Sequence, residues 1–316
     1  MRPIGGEIET NFNEDIFFTD SGRSSLRLFL KNFKSKKILI PDFLCEIIIK
    51  VLKEEKINYS FYHINEDLSI DYEGIKNQKF DVLYVINYFG VLHNQQQLQN
   101  IIRDKILIED NVFFYNFENR GFKNWYSFNS YRKITSLADG SLIKTNIKIK
   151  KDFIKDKNIF SELKYKAKCK KYNYVYHKEG KEEIYLKLFQ EGEKILDEQR
   201  FIGKISDKSI YLLANYEYTK IRKLRKNRFK ILYKKFSKYL LNKNALEYSY
   251  FVLKLNNRDK IRKKLFEYNI FLPVHWPKLT DNVLYNKVIS IPLFENYLEE
   301  DFNYMINTIE KVINEY

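Results

Sequence analysis

The stretch from Lys105 to Asn146 constrains this chain more than any other. Lys105-Ile-Leu-Ile-Glu-Asp reads as a short buried strand that delivers a carboxylate, Asp110, at its C-terminal end. In open parallel α/β sheets that end is where ligands bind. Twenty-three residues later comes Lys133, within Trp125-Tyr-Ser-Phe-Asn-Ser-Tyr-Arg-Lys-Ile-Thr-Ser-Leu-Ala-Asp-Gly-Ser-Leu-Ile. Here a strand breaks into a polar turn, presents the lysine, and resumes as a strand from Ser141.

The chain before this stretch alternates apolar strand runs with amphipathic helices. Strands are expected at Lys37-Ile-Leu-Ile-Pro, at Tyr59-Ser-Phe-Tyr-His-Ile and, more centrally, at Asp81–Gly90, with helices between them. That alternation predicts a mainly parallel α/β sheet with right-handed crossovers. Phe17-Phe-Thr-Asp-Ser-Gly-Arg-Ser-Ser-Leu-Arg-Leu-Phe-Leu is a polar turn feeding a helix, with Asp20 and Ser21 as N-cap candidates. Free N–H groups and the helix dipole make such a turn an anion site. Residues 147–240 contain three Gly and no Pro, with helical periodicity, and predict several helices. A strand at Tyr248–Leu255, a helix at Asp259–Tyr268, a strand at Val288–Leu293 and a closing amphipathic helix follow. The expected division is a large domain over 1–215 and a smaller C-terminal α+β domain over 216–316.

A carboxylate and a lysine on neighbouring strand ends are what pyridoxal 5'-phosphate (PLP) requires. The lysine amine attaches to the cofactor, and the carboxylate keeps the pyridine nitrogen protonated so that the ring accepts electrons. By themselves the two residues are also what a strand end and a solvated Arg-Lys turn would give. The surrounding sequence resembles the DegT/DnrJ/EryC1/StrS sugar aminotransferases, which are fold-type-I PLP enzymes. Their lysine is followed seven and eight residues later by Gly-Gly, with an acidic residue just before; here Lys133 is followed at that spacing by Asp139-Gly140-Ser141. The resemblance extends from about Phe18 to the C-terminus. Ser21, Gly22, Ser24 and Leu26 stand in register with the family's Ser-Gly-Thr-Ser-Ala-Leu phosphate turn, and Val288-Ile-Ser-Ile-Pro-Leu with its Leu-Ser-Leu-Pro terminus.

The resemblance implies an aminotransferase that moves an amino group, from glutamate, onto a keto-sugar nucleotide for surface polysaccharide. Lys133 would be the cofactor-linked residue and proton shuttle, and Asp110 the partner of the pyridine nitrogen. Gly22, Arg23 and Ser24 would hold the phosphate, with the Arg23 side chain also able to pair with it. Ser127 and Ser130 both stand where the family places a phosphate-binding serine. The ring-stacking aromatic falls by register at Cys45, with Phe43 two residues before it. Phe113 replaces the family's Gln or His near the ring and is expected to supply ring contact in compensation. His275, in the rigid Phe271-Leu-Pro-Val-His-Trp-Pro turn, is a candidate to touch substrate. The family's Gly-x-Asn-x-Arg-Met segment, which completes the partner subunit's site, is missing near Phe201–Leu213; Gly-Lys-Ile-Ser-Asp-Lys-Ser stands there instead. Fold-type-I sites form between two subunits, so a homodimer is expected.

The net charge of +15 raises a rival reading, a basic protein that binds nucleic acid or a charged surface. Residues 1–140 carry 18 basic against 19 acidic side chains, and residues 141–316 carry 38 against 22. The excess therefore lies C-terminal to Lys133, where it reflects either lysine-rich composition or a field steering an anionic substrate. Neither explanation involves nucleic acid, and no recognised nucleic-acid motif appears. Two cysteines and four scattered histidines predict neither a disulfide framework nor a metal site. No apolar run reaches the roughly 18 residues of a spanning helix, and Met1–Glu7 lacks the apolar core of a signal peptide. The expectation is a cytoplasmic protein with no membrane insertion. A second rival is a relative on the same fold that has lost or altered transamination.

Overall fold

The structure is a computed structural model that describes residues 16–33 and 37–316. Met1–Glu7, read above as lacking a signal peptide's apolar core, lies outside the described residues. Up to Lys133 the elements run β1 (Ile16–Thr19), α1 (Gly22–Asn32), β2 (Ile38–Pro41), α2 (Glu46–Glu54), β3 (Tyr59–Tyr62), α3 (Tyr72–Lys76), β4 (Val82–Ile86), α4 (Gln95–Ile102), β5 (Ile106–Asp110), β6 (Trp125–Phe128) and α5 (Tyr131–Ile134). They continue as β7 (Ser141–Thr145), β8 (Ile154–Lys155), α6 (Ser161–Tyr172), α7 (Glu182–Glu198), β9 (Ile202–Gly203), α8 (Asp207–Ala214) and α9 (Tyr218–Phe236). The chain closes with β10 (Tyr250–Lys254), α10 (Arg258–Phe266), α11 (Leu284–Lys287), β11 (Val288–Pro292) and α12 (Glu299–Asn314).

Seven strands form one sheet in the order β1-β7-β6-β5-β4-β2-β3. The pairings from β3 to β6 are parallel, and β7 runs antiparallel to both β6 and β1. This is the α/β, mainly parallel sheet that the alternation predicts. The interior strands β2 and β4 are buried along their whole length, as strands covered by helices on both faces must be.

Two apolar cores form among the described residues. The larger surrounds the sheet and also takes in Tyr250, Val252, Trp276 and Tyr285 from the C-terminal region. The smaller lies between α9, α10, α12 and the β10–β11 pair. The segment between β6 and β7 is pinned to the first core. Tyr131 N donates to Gly140 O at 3.0 Å, and Gly140 N donates to Asp20 O at 2.7 Å. Asp139 is buried and accepts from Ser206 N, from the hydroxyls of Ser206 and Ser209, and from Asn158 Nδ2. The Asp-Gly pair is thus a structural clasp that shapes the loop carrying Lys133.

Gly140 has φ of +103°, and a Cβ added there would lie 2.7 Å from Ile205 Cδ1. Gly140→Ala is therefore expected to destabilise the fold by about 1–3 kcal/mol. Urea unfolding of the variant against the parent checks this.

Candidate active site

The strand order places the C-terminal ends of β4, β5 and β6 side by side, with Ile86 paired to Asp110 and Asp110 to Phe128. Beyond β6 the backbone leaves the sheet at Ser130, which is extended, and winds through the single turn α5. Thr135 N donates to Tyr131 O at 2.8 Å to close that turn, and Tyr250 from the C-terminal region donates its hydroxyl to the Lys133 carbonyl at 3.3 Å. The N-terminus of α1 approaches from the other side of β6, where Gly22 lies against Asn129 O and the Phe128 ring. These elements enclose a cavity of about 110 Å³.

Asp110 and Lys133 both line the cavity. Asp110 is buried and accepts the Tyr84 hydroxyl at 2.5 Å and Val112 N at 3.1 Å. Burial pushes its carboxyl up to about 6, while those two donors and the charge of Lys133 pull the other way. It is thus ionised at neutral pH but close to its titration range. Burial also pushes the Lys133 amine below the ordinary lysine value, an effect reinforced by the guanidiniums of Arg132 and Arg23 and opposed by Cys45 and Glu193. A larger fraction of free amine makes a better nucleophile and proton acceptor. No direct ion pair joins the two groups among the described residues; both line the same cavity.

At the α1 end, Ser21 is the N-cap, and its Oγ accepts Ser24 N at 3.3 Å. The N–H groups of Gly22 and Arg23 belong to the first turn and have no partner inside the helix. Asp20, just before them, accepts Gln199 Nε2 at 2.7 Å, and burial pushes its carboxyl up to about 6. Arg23 pairs with Asp197 at 2.5 Å, and Arg132 with Glu193 at 3.0 Å.

Of the residues singled out in the sequence, Gly22, Arg23, Cys45, Asp110, Phe113, Ser130 and Lys133 are brought together on this cavity. Phe113 stacks obliquely on Phe89, with centroids 4.8 Å apart, so its ring wall is shared between cavity and core. Phe43 is fully buried against Tyr88, Trp276 and Tyr285. Ser24 and Ser127 lie off the cavity lining. The Ser127 hydroxyl donates to Glu109 O and accepts from Asn111 Nδ2, both at 2.8 Å, which makes it part of the sheet's internal network.

His275 also lies behind the lining, edge-on to Phe89, Phe113 and Tyr250, with Nδ1 3.1 Å from Ser290 Oγ. Burial, with the charge of Lys133 added, pushes its pKa down to about 3. Below pH ~6.5 the unfolded chain takes up a proton here that the folded chain refuses, so stability falls with pH until about 3. Between pH 7 and 4.5 this single residue should account for a loss of roughly 2–3 kcal/mol. Denaturant unfolding of parent and His275→Gln at both pH values tests this: the variant should lose that much less on acidification.

Three residues of the site escaped sequence reading. Tyr84 sits inside the uniformly apolar run of β4 and meets Asp110 only through strand pairing. Arg132 looked like half of a solvated dipeptide but lines the cavity. Trp276 lines it too, and its Nε1 is buried without a partner among the described residues.

The architecture is that of fold-type-I PLP-dependent aminotransferases. The proposed sugar aminotransferase Spr1654 from Streptococcus pneumoniae, in its PMP form, superposes with a TM-score of 0.67 at 15% identity, over 95% of this chain and 88% of that one. The sugar aminotransferase CalS13 from Micromonospora echinospora gives 0.64 at 12% identity over 94% and 87%. The histidinol-phosphate aminotransferase from Clostridium acetobutylicum gives 0.60 at 14% identity over 96% and 84%. At these identities the likeness establishes the fold. No family model and no curated protein matches the chain. No helix among the described residues is long and apolar enough to cross a membrane.

Proposed function

We propose that this chain is a divergent PLP-dependent aminotransferase of the DegT/DnrJ/EryC1/StrS type. On this reading it transfers an amino group from glutamate to a keto-sugar nucleotide for surface polysaccharide, and acts in the cytoplasm as a homodimer. The observation that carries the reading is that one cavity is lined by both Asp110, at the C-terminal end of β5, and Lys133, in the turn that follows the adjacent strand β6. The donor set fits the cofactor: a buried carboxylate for a pyridine nitrogen, an amine with depressed pKa for an aldehyde, and guanidiniums beside a helix N-terminus for a phosphate. The sugar class is supported by the sequence resemblance and by neighbours named as sugar aminotransferases. The basic C-terminal half would favour an anionic nucleotide sugar. Residues 1–215 would hold the cofactor and residues 216–316 cover it.

Bound here, PLP would supply an electron sink and a carbonyl that carries the amino group between donor and acceptor. Lys133 Nζ would take up the proton removed from the donor and return it to the acceptor, and its lowered pKa suits both directions. The Asp110 carboxylate, held by Tyr84 and Val112, would keep positive charge on the ring nitrogen. Phe113 and Trp276 would exclude water from one side.

A second reading has its own support. The segment where the family carries its partner-subunit motif is folded onto its own chain here, with Ser206 and Ser209 engaged by Asp139. A protein that binds PLP without transaminating would retain the cavity and lose that motif. Titrating the purified protein with PLP, then adding glutamate, tests both. An absorbance band that glutamate shifts supports the aminotransferase; a band that glutamate leaves unchanged favours the second reading. No band overturns both and returns the basic surface to consideration. Light scattering should give twice the 38.4 kDa chain mass.

A further inference from the structure

A second cavity, of about 840 Å³, is lined by residues of both apolar cores. Its size falls in the range of small-molecule sites, roughly 300–1,000 Å³. It shares no lining residue with the cavity at Lys133. Tyr88 lines it and packs on Trp276, which lines the other, with ring centroids 6.4 Å apart, so an aromatic layer stands between the two. Part of its wall comes from the segments that follow β3 and β4, with Tyr72, Asn94 and Gln97. The rest comes from the segments on either side of β10, with Lys238, Tyr239, Lys243, Asn244 and Asn256. These two parts are fixed to each other. Leu246 N donates to Gly90 O at 2.7 Å, Asn242 Nδ2 to Phe89 O at 3.1 Å, and Lys254 Nζ pairs with Glu66 at 2.9 Å. The cavity is therefore preformed by contacts between distant segments.

Its lining combines three chemistries. The amides of Asn94, Gln97, Asn244 and Asn256 each offer donors and an acceptor, as the edge of a base and the hydroxyls of a ribose require. Tyr72 and Tyr239 supply flat aromatic faces, on which bases stack. The charge is positive. Glu66 is matched by Lys254 and Lys287, and Asp67 Oδ1 accepts Ser69 N and Oγ at 2.9 and 2.6 Å. Lys238 and Lys243 have no carboxylate partner among the described residues, and Lys238 Nζ lies over the Tyr239 ring, 4.6 Å from its centroid. Cation and ring thus stand side by side. A neutral sugar would leave the lysines unused, and a phosphate alone would leave the rings and amides unused. We propose that this cavity binds a nucleoside diphosphate, free or linked to a sugar, with Tyr72 and Tyr239 against the base, the amides on base and ribose, and Lys238 and Lys243 on the phosphates. The site is separate from the Lys133 cavity and does not depend on the PLP reading. It also gives part of the basic excess C-terminal to Lys133 a ligand.

The test is calorimetric titration of the full chain with ADP, GDP, UDP and dTDP, with and without PLP, and with inorganic pyrophosphate as the control. At least one nucleotide should bind about tenfold or more tighter than pyrophosphate. Lys238→Gln/Lys243→Gln should weaken that nucleotide by about tenfold or more and leave PLP affinity unchanged. Both lysines are exposed, so the fold should survive the change. Asn256→Ala should weaken the nucleotide and leave pyrophosphate unaffected. Tighter binding of the corresponding sugar-linked nucleotide assigns the site to nucleotide sugars, and weaker binding to free nucleotides; either sustains it. No binding by any of the four, or binding no tighter than pyrophosphate, overturns the site. So does nucleotide binding that the double lysine variant leaves unchanged and Arg132→Gln abolishes, which would place the nucleotide in the Lys133 cavity. A protein that binds nucleotide through Lys238 and Lys243 but gives no absorbance band with PLP overturns the PLP reading and leaves this site standing.

Discussion

Lys133→Ala should bind PLP without forming an adduct that borohydride can fix, and its turnover should fall by about ten-thousandfold or more. The size of the effect follows from the loss of two functions in one amine, attachment and proton transfer, the second alone contributing about 10²–10⁴. The backbone around residue 133 should survive, because main-chain bonds through Gly140, Asp20 and Thr135 hold the loop. Peptide mapping after reduction reads the result directly: the parent should carry the reduced cofactor on the peptide containing residue 133, and the variant on none. An adduct formed as readily in the variant would move the attachment to another amine, and Lys164 and Lys168 would be the first to examine because burial lowers both.

The second large effect is expected at Asp110. Asp110→Asn should still form the adduct with Lys133, while turnover falls by roughly a hundred- to a thousandfold, the range for removing one preorganised charge contact. An amide carries no negative charge to hold a proton on the ring nitrogen. It also meets two donors, the Tyr84 hydroxyl and Val112 N, with a single acceptor oxygen. One donor then goes short, adding a stability loss of about 1–3 kcal/mol. Tyr84→Phe separates the two contributions: it removes one donor and keeps the carboxylate, so stability should change while most turnover remains. Full turnover in a folded Asp110→Asn variant would take Asp110 out of the chemistry.

Much of the architecture was legible because its signals are local. The apolar run before Asp110 specifies a buried strand, and the polar end of that run specifies where the carboxylate emerges. Ser21 and Gly22 mark the start of α1 through capping and close packing, which need only the adjacent residues. The break between β6 and β7 could likewise be read from polar residues interrupting two apolar runs, although the expected turn is a full helical turn.

What the sequence determined by itself, then, is most of the sheet's strands and their flanking helices, their alternation into a parallel sheet, and the two polar residues that emerge beyond its apolar strand runs. Each of these follows from periodicity and capping within a few residues. Only the tertiary structure decided which side chains those two would meet. Tyr84 reaches Asp110 through the register of β4 on β5, and Arg132 meets Glu193 sixty-one residues away in a helix with no local tie to α5. Ser127 was drawn into the Asn111–Glu109 network while Ser130, three residues on, stayed at the cavity. His275 was closed off behind Phe89 and Phe113. The segment around Ser206 turned inward onto its own Asp139. A side chain's polarity is a property of the residue, but its partner is chosen by packing between distant segments, and no local pattern encodes that choice.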